Sequence, residues 1–229
     1  MSAVSETIVH EYFELHGFFV RQQRKYISPA HREEEEIDFL VFNPHPQPAA
    51  GPLPTVLAST DLPRITAAVV VVKGWHTETF SSAVLAKIPE IFRFVEPPSV
   101  AAAARIFGCE EPPVRILVVP ALPQNPAART QSLDFLRQRG IDTVIPFRTL
   151  LADLIACTET NRNYQKSDLL QMIRVLKTYD FFKDPQLELF KPARAGSGVR
   201  RARRPAPAAP PGAPPTPPAT LRNSGPVEG

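Results

Sequence analysis

Cysteine is scarce in this sequence. Only Cys109 and Cys157 occur among 229 residues, and they lie far apart. Such a pair forms neither a disulfide framework nor the pattern of a structural zinc site. We therefore predict a reducing, cytoplasmic environment, with both thiols buried as small apolar side chains. The histidines show no metal-ligand spacing either; they are His10, His16, His31, His45 and His76.

Long hydrophobic runs are also missing. No apolar stretch approaches the roughly 18 residues that a membrane-spanning helix needs. Residues 1–11 lack the charged segment followed by an apolar segment that is typical of a secretion signal. The sequence therefore predicts no membrane partner.

Glycine is sparse as well, with ten residues in the whole chain. Gly74 and Gly108 are isolated, and no glycine-rich turn joins a strand to a helix, which argues against nucleotide hydrolases and dinucleotide enzymes. No Gly-x-Ser-x-Gly elbow and no paired Cys and His segments occur. A serine or cysteine nucleophile is therefore not predicted.

Proline, by contrast, is abundant, and ten of the 27 prolines follow Lys191. From there the chain is mostly Pro, Ala, Gly and Arg, which predicts a disordered tail over 191–229 after a folded domain over 1–190. The tail holds seven of the 26 Lys and Arg residues, including an arginine cluster at 200–204 that could contact phosphate or simply keep the chain soluble.

The folded domain is slightly acidic, because 19 basic and 22 acidic residues remain in 1–190. The formal net charge of +3 therefore reflects the tail. Any binding of nucleic acid by the domain requires a local basic patch.

Hydrophobic periodicity predicts helices and strands that alternate over 1–190. Helices are expected at 4–16, 81–94, 100–107, 127–139, 147–156 and 167–179, and strands at 18–27, 37–42, 67–72, 114–119 and 143–145. Residues 43–63 contain six prolines and are predicted to form a loop. The valine-rich strand should be covered on both faces, and alternation in the second half predicts parallel pairing. We expect a three-layer α/β/α domain with a mixed central sheet.

Three ionisable residues occupy related positions in this order of elements: Glu6 in the first helix, Asp38 in EEIDFLVF and Lys73 in VVVKGW. The arrangement, with Glu6 ahead of the pair Gly17-Phe18, resembles the PD-(D/E)XK nuclease superfamily, which includes archaeal Holliday junction resolvases and many restriction enzymes. The resemblance covers residues 4–120. It implies a restriction-endonuclease-like fold in which Glu6 and Asp38 hold Mg²⁺ and Lys73 positions the attacking water.

The sequence departs from that family at Val71, two residues before Lys73, where the family has an acidic metal ligand. Side chains alternate along a strand, so Val71 and Lys73 share a face and a register shift does not explain the missing carboxylate. Glu36 or Glu78 could supply a substitute ligand. Taken singly, Glu6 could complement the helix dipole, Asp38 could accept backbone hydrogen bonds and Lys73 could extend to solvent.

Two groups of residues are candidates for contact with nucleic acid. Trp75 and His76 follow Lys73 and could stack on or hydrogen-bond a nucleotide, although a tryptophan more often caps a core. Arg21, Arg24 and Lys25 form a basic cluster that could bind a phosphate backbone or offset the acidic run at 33–36.

The segment Gln186-Leu187-Glu188-Leu189-Phe190 is similar to the QL(S/D)LF pentapeptide by which bacterial DNA polymerases and repair proteins bind the sliding clamp. The resemblance implies a bacterial protein whose clamp contacts come from Gln186, Leu187, Leu189 and Phe190. Packing of these side chains back onto the domain is the alternative.

Three functions remain open from the sequence. One is a Mg²⁺-dependent DNA endonuclease, a hydrolase of DNA repair or processing. The second is a catalytically degenerate nuclease-fold protein that binds DNA or another protein. The mildly acidic domain also allows a structural or regulatory role without nucleic acid.

Overall fold

The computed structural model describes residues 3–23, 37–47, 51–108 and 111–182. Several predictions from the sequence lie outside these ranges. They are the domain boundary at 190, the tail, the pentapeptide at 186–190, and the residues Arg24, Lys25, Glu36 and Cys109.

The described chain alternates helices and strands as the periodicity predicts. The helices are α1 (Ala3–Leu15), α2 (Ser82–Ala86), α3 (Pro97–Phe107), α4 (Pro126–Gln138), α5 (Phe147–Cys157) and α6 (Asp168–Thr178). The strands are β1 (Phe19–Gln22), β2 (Phe39–Phe42), β3 (Ala67–Val72), β4 (Val114–Val119) and β5 (Thr143–Pro146). Two 3₁₀ helices, Ser59–Arg64 and Pro89–Val95, complete the set. None of the described helices is long and apolar enough to cross a membrane.

The strands form one mixed sheet in the order β1-β2-β3-β4-β5. β1, β2 and β3 pair antiparallel, whereas β3, β4 and β5 pair parallel. The parallel pairing predicted for the second half of the domain is therefore confirmed. Parallel strands end at the same edge of the sheet, so the carboxyl ends of β3, β4 and β5 lie together.

Helices cover both faces of the sheet. On one face α1, α5 and α6 pack over Ala68, Val70 and Val72, and on the other the helices between β3 and β5 pack over Val69 and Val71. Every residue of β3 is buried, as the run of valines predicts. The coarse α/β prediction with a mixed central sheet is confirmed.

α1 shows how the sequence determines its place in this arrangement. Ile8, Val9, Tyr12 and Phe13 recur at helical spacing and are buried against the sheet. Gly17 has a φ of +81°, the left-handed conformation that ends a helix and suits glycine. The chain then enters β1 directly.

Three local predictions differ from the structure. The helix expected at 81–94 is divided because Pro89, which lacks an N–H, begins a separate 3₁₀ helix. The proline-rich loop at 43–63 contains the start of the other 3₁₀ helix and a bridge from Val56 to Val144. The burial predicted for Cys157 is wrong, because this residue ends α5, one turn past its last buried residue, Leu154.

Candidate functional site

A cleft lies at the edge where the parallel strands end. It has a volume of about 780 Å³ and is lined by Gly74, Trp75, His76, Thr77, Glu78, Val84, Lys87 and Ile88. Open α/β sheets bind ligands outside the carboxyl ends of their strands. The volume also falls within the range of about 300–1,000 Å³ that is typical of small-ligand pockets. This cleft is therefore the candidate site.

The loop that follows β3 forms one wall of the cleft and is held by side chains from distant parts of the chain. The Nε2 atom of His76 lies 3.0 Å from Oγ of the fully buried Ser5, at the start of α1. The His76 ring also packs edge-on against Phe147 of α5, with 4.6 Å between ring centroids. Within the loop, the N–H of Glu78 donates to the carbonyl oxygen of Trp75. The loop is thus fixed on the side of α1 and α5.

Trp75 both covers the core and faces the cleft. Its ring centroid lies 5.8 Å from that of Phe80, a fully buried residue, at an angle of 31° between the ring planes. The residue nevertheless keeps 39% of its surface exposed. The two uses predicted for this tryptophan are therefore compatible, because the indole packs on Phe80 while the residue stays partly accessible.

Asp38 joins three strands at the start of β2. Its N–H donates to the carbonyl oxygen of Val70, and its own carbonyl oxygen accepts from the N–H of Gln23. The carboxylate accepts a hydrogen bond of 2.7 Å from the N–H of Val72, and the residue is only 4% exposed. The sequence offered two roles for Asp38, a metal ligand or an acceptor of backbone hydrogen bonds, and these contacts correspond to the second role.

The other three positions named from the resemblance are Glu6, Val71 and Lys73, and each contributes to the structure. One carboxylate oxygen of Glu6 accepts a 2.6 Å hydrogen bond from the Gln22 side-chain amide, which ties α1 to β1. Val71 is 1% exposed and belongs to the core on the sheet face opposite α1. The N–H of the half-buried Lys73 donates to the carbonyl oxygen of Val118.

These residues do not fit a Mg²⁺ site. Mg²⁺ requires several oxygen ligands in near-octahedral geometry. The carboxylates of Glu6 and Asp38 hold Gln22 and Val72, and Val71 offers no oxygen. Within the described ranges, no group of three or more His, Cys, Asp or Glu side chains is arranged to hold a metal ion.

The remaining sequence candidates are spread over the domain. Arg21 is exposed on β1, and Glu78 lines the cleft. Lys87, an exposed residue at the end of α2, was not predicted as a site residue. It belongs to no motif, and a lysine beside a short helix carries no sequence signal of a binding role. The sequence did not single out Ser5 as a site residue either. The contact of Ser5 with His76 spans 71 residues and leaves no local signal.

A second polar cluster joins α1 to α5 and to the 3₁₀ helix Ser59–Arg64. The hydroxyls of Tyr12 and Ser59 lie 2.9 Å apart, and Nε2 of His16 lies 2.6 Å from a carboxylate oxygen of Asp153. Burial raises the pKa of Tyr12 well above its ordinary value. Partial burial and the nearby Asp153 carboxylate raise the pKa of the Cys157 thiol, the opposite of what a nucleophile needs. We interpret this cluster as structural.

Gly74 occupies a position at which the site cannot accommodate a side chain. A Cβ atom at this position would lie 2.4 Å from Oγ and 3.0 Å from Cβ of Ser5. We expect Gly74→Ala to displace α1 from the loop and to lower the free energy of unfolding by about 2 kcal/mol, as overpacking does. Urea denaturation measures this loss.

A double-mutant cycle isolates the clash. Ser5→Gly removes both atoms that the new methyl group meets, so the double variant should lose about 1 kcal/mol less than the sum of the single variants. Ser5→Ala is the control, since it removes only the hydroxyl that contacts His76. Unchanged stability in Gly74→Ala would show that the approach of α1 to the loop is looser than the structure indicates.

No family model matches this chain, and comparisons with curated proteins and with solved structures find no similar protein.

Proposed function

We propose that this domain is a catalytically degenerate member of the PD-(D/E)XK nuclease-like superfamily, with a restriction-endonuclease-like fold, and that it binds nucleic acid. The observation that carries this proposal is the burial of Val71, 1% exposed, at the position of the acidic ligand. The order of α1, three antiparallel strands, intervening helices and the parallel strand β4 supports the family.

The hydrogen bonds of the two carboxylates argue against catalysis. Metal-assisted phosphodiester hydrolysis needs carboxylate oxygens that can coordinate the ion while water is activated. Asp38 is buried and holds the backbone of β3, and Glu6 holds β1. Both carboxylates stabilise the sheet, which is sufficient reason for their presence in a protein without nuclease activity.

The charges at the cleft favour nucleic acid as the ligand. Lys87 lines the cleft, and Lys73 directly precedes its first lining residue, Gly74. The domain as a whole is slightly acidic, so a phosphate backbone would be drawn to a local cation such as Lys87 rather than to the surface in general.

Cleavage and binding assays on the full chain test the proposal. With supercoiled, linear, single-stranded and branched DNA in Mg²⁺ or Mn²⁺, we expect a gel shift with at least one substrate and cutting of none. Lys87→Ala should weaken binding about threefold to tenfold. It should also reduce the slope of log K against log salt concentration by about one unit. Lys166→Ala is the matched control, because Lys166 is an exposed lysine in the loop before α6.

Two results would contradict this proposal. Metal-dependent cutting that is lost in both Asp38→Ala and Lys73→Ala would identify an active endonuclease despite Val71. If the protein shifted no nucleic acid in the gel assay, the remaining function would be a structural or regulatory role that does not involve nucleic acid. The sliding-clamp contact through residues 186–190 stays a separate prediction from the sequence.

A further inference from the structure

We propose that the cleft beside Trp75 holds an unpaired nucleobase, so that the domain binds single-stranded in preference to duplex nucleic acid. This inference rests on the proposed function and specifies its ligand. It follows from the support of the Trp75 ring, from the charges around the cleft and from the anchoring of the loop.

The Trp75 ring is built as a platform. Phe80 supports it from the core side at 5.8 Å between centroids, and the residue, 39% exposed, lines a cleft with the volume of a small-ligand pocket. Aromatic side chains of this kind stack on bases of any sequence, because every base has a π face. In a duplex the faces of the bases are stacked on one another, so only an unpaired or terminal base can reach the ring.

The two charged side chains of the cleft suit different parts of a nucleotide. Glu78 and Lys87 both line the cleft. A carboxylate repels phosphate but accepts hydrogen bonds from the N–H groups of a base, as acidic side chains do with cytosine N4. The ammonium group of Lys87, by contrast, attracts phosphate. The cleft therefore suits a base beside Trp75 with its backbone directed to Lys87.

The platform is also anchored before any ligand binds. Gly74 and His76, the two neighbours of Trp75, both contact Ser5, and His76 packs against Phe147. A loop held in this way loses little conformational freedom on binding, which favours affinity.

The single tryptophan of the chain makes the experiment direct, because all indole fluorescence comes from Trp75. The full chain is titrated with a mixed-sequence single-stranded oligonucleotide, with the duplex of the same sequence, and with inorganic polyphosphate. In parallel, the anisotropy of the labelled oligonucleotides reports binding independently of the tryptophan. We expect strong quenching by the single strand at concentrations at least tenfold below those at which the duplex acts, and no quenching by polyphosphate.

Three variants connect the signal to the site. Trp75→Ala should weaken binding of the single strand at least tenfold, whereas Trp75→Phe should keep most of it because the ring remains. Tyr179→Ala, which removes an aromatic residue that is 72% exposed at the end of α6, should change nothing. Thermal unfolding of each variant shows whether the packing on Phe80 survives.

The outcomes distinguish this inference from the proposed function. Binding seen by anisotropy, with unchanged indole emission and normal affinity in Trp75→Ala, overturns the inference and leaves the proposed function intact. Quenching by polyphosphate equal to that by the single strand also overturns it, since charge alone would then explain the signal. No change in anisotropy with any nucleic acid overturns both.

Discussion

Replacing Val71 with glutamate, the type of residue that the proposed nuclease family carries two positions before its lysine, is expected to unfold the domain rather than to activate it. Val71 is paired in register with Leu117 of β4 and lies in the apolar core with Val69. A carboxylate there would be buried without a partner, which is among the largest costs that one substitution can impose. We expect a loss of at least about 4 kcal/mol in the free energy of unfolding, measured by denaturant titration.

Val71→Thr serves as the control for this experiment. Threonine has nearly the shape of valine and adds one hydroxyl, so its expected cost is only about 1–2 kcal/mol. A Val71→Glu variant that stays folded and cuts DNA with Mg²⁺, where the wild type does not, would refute the burial of this position and the purely structural role of the Glu6 and Asp38 carboxylates.

Asp38→Ala is expected to lower the free energy of unfolding by about 3 kcal/mol. The substitution leaves the buried N–H of Val72 without the carboxylate that accepts its hydrogen bond, and bonds to charged groups are stronger than neutral ones. Asp38→Asn should lose less, because an amide oxygen can still accept from Val72. Denaturant unfolding of the three proteins under the same conditions gives both differences.

Asp134→Ala is the matched control for Asp38. The Asp134 carboxylate lies on α4, is about half exposed and pairs with Arg137 over 3.6 Å. Such surface pairs contribute little, so its removal should change stability by less than about 0.5 kcal/mol. If Asp38→Ala kept full stability and lost a DNA-dependent activity, Asp38 would be a functional residue rather than a structural one.

The parts of the fold that follow from local pattern could be predicted from the sequence. The run of valines in β3 predicts a strand buried on both faces, and the spacing of Ile8, Val9, Tyr12 and Phe13 predicts α1 and its buried face. Each pattern lies within a single element, so a window of about ten residues contains the information.

The site could be predicted only in part, because its geometry depends on residues far apart in the chain. Trp75 and His76 were identified from their place after Lys73. The partner of His76 is 71 residues away, and the group that binds Asp38 is 34 residues away. The same distance explains why a sequence motif could suggest metal ligands at Glu6 and Asp38 while their carboxylates bind Gln22 and Val72.

The packing of α1 has a consequence for the protein during its synthesis. The apolar face of α1 is covered partly by α5 and α6, and His16 of this region pairs with Asp153 across 137 residues. At translation rates of about 5–20 residues per second, the ribosome needs on the order of 10–30 s to make the chain between α1 and α6. For that time α1 presents apolar side chains without their final neighbours, so the nascent chain should be a substrate for chaperones that bind such segments.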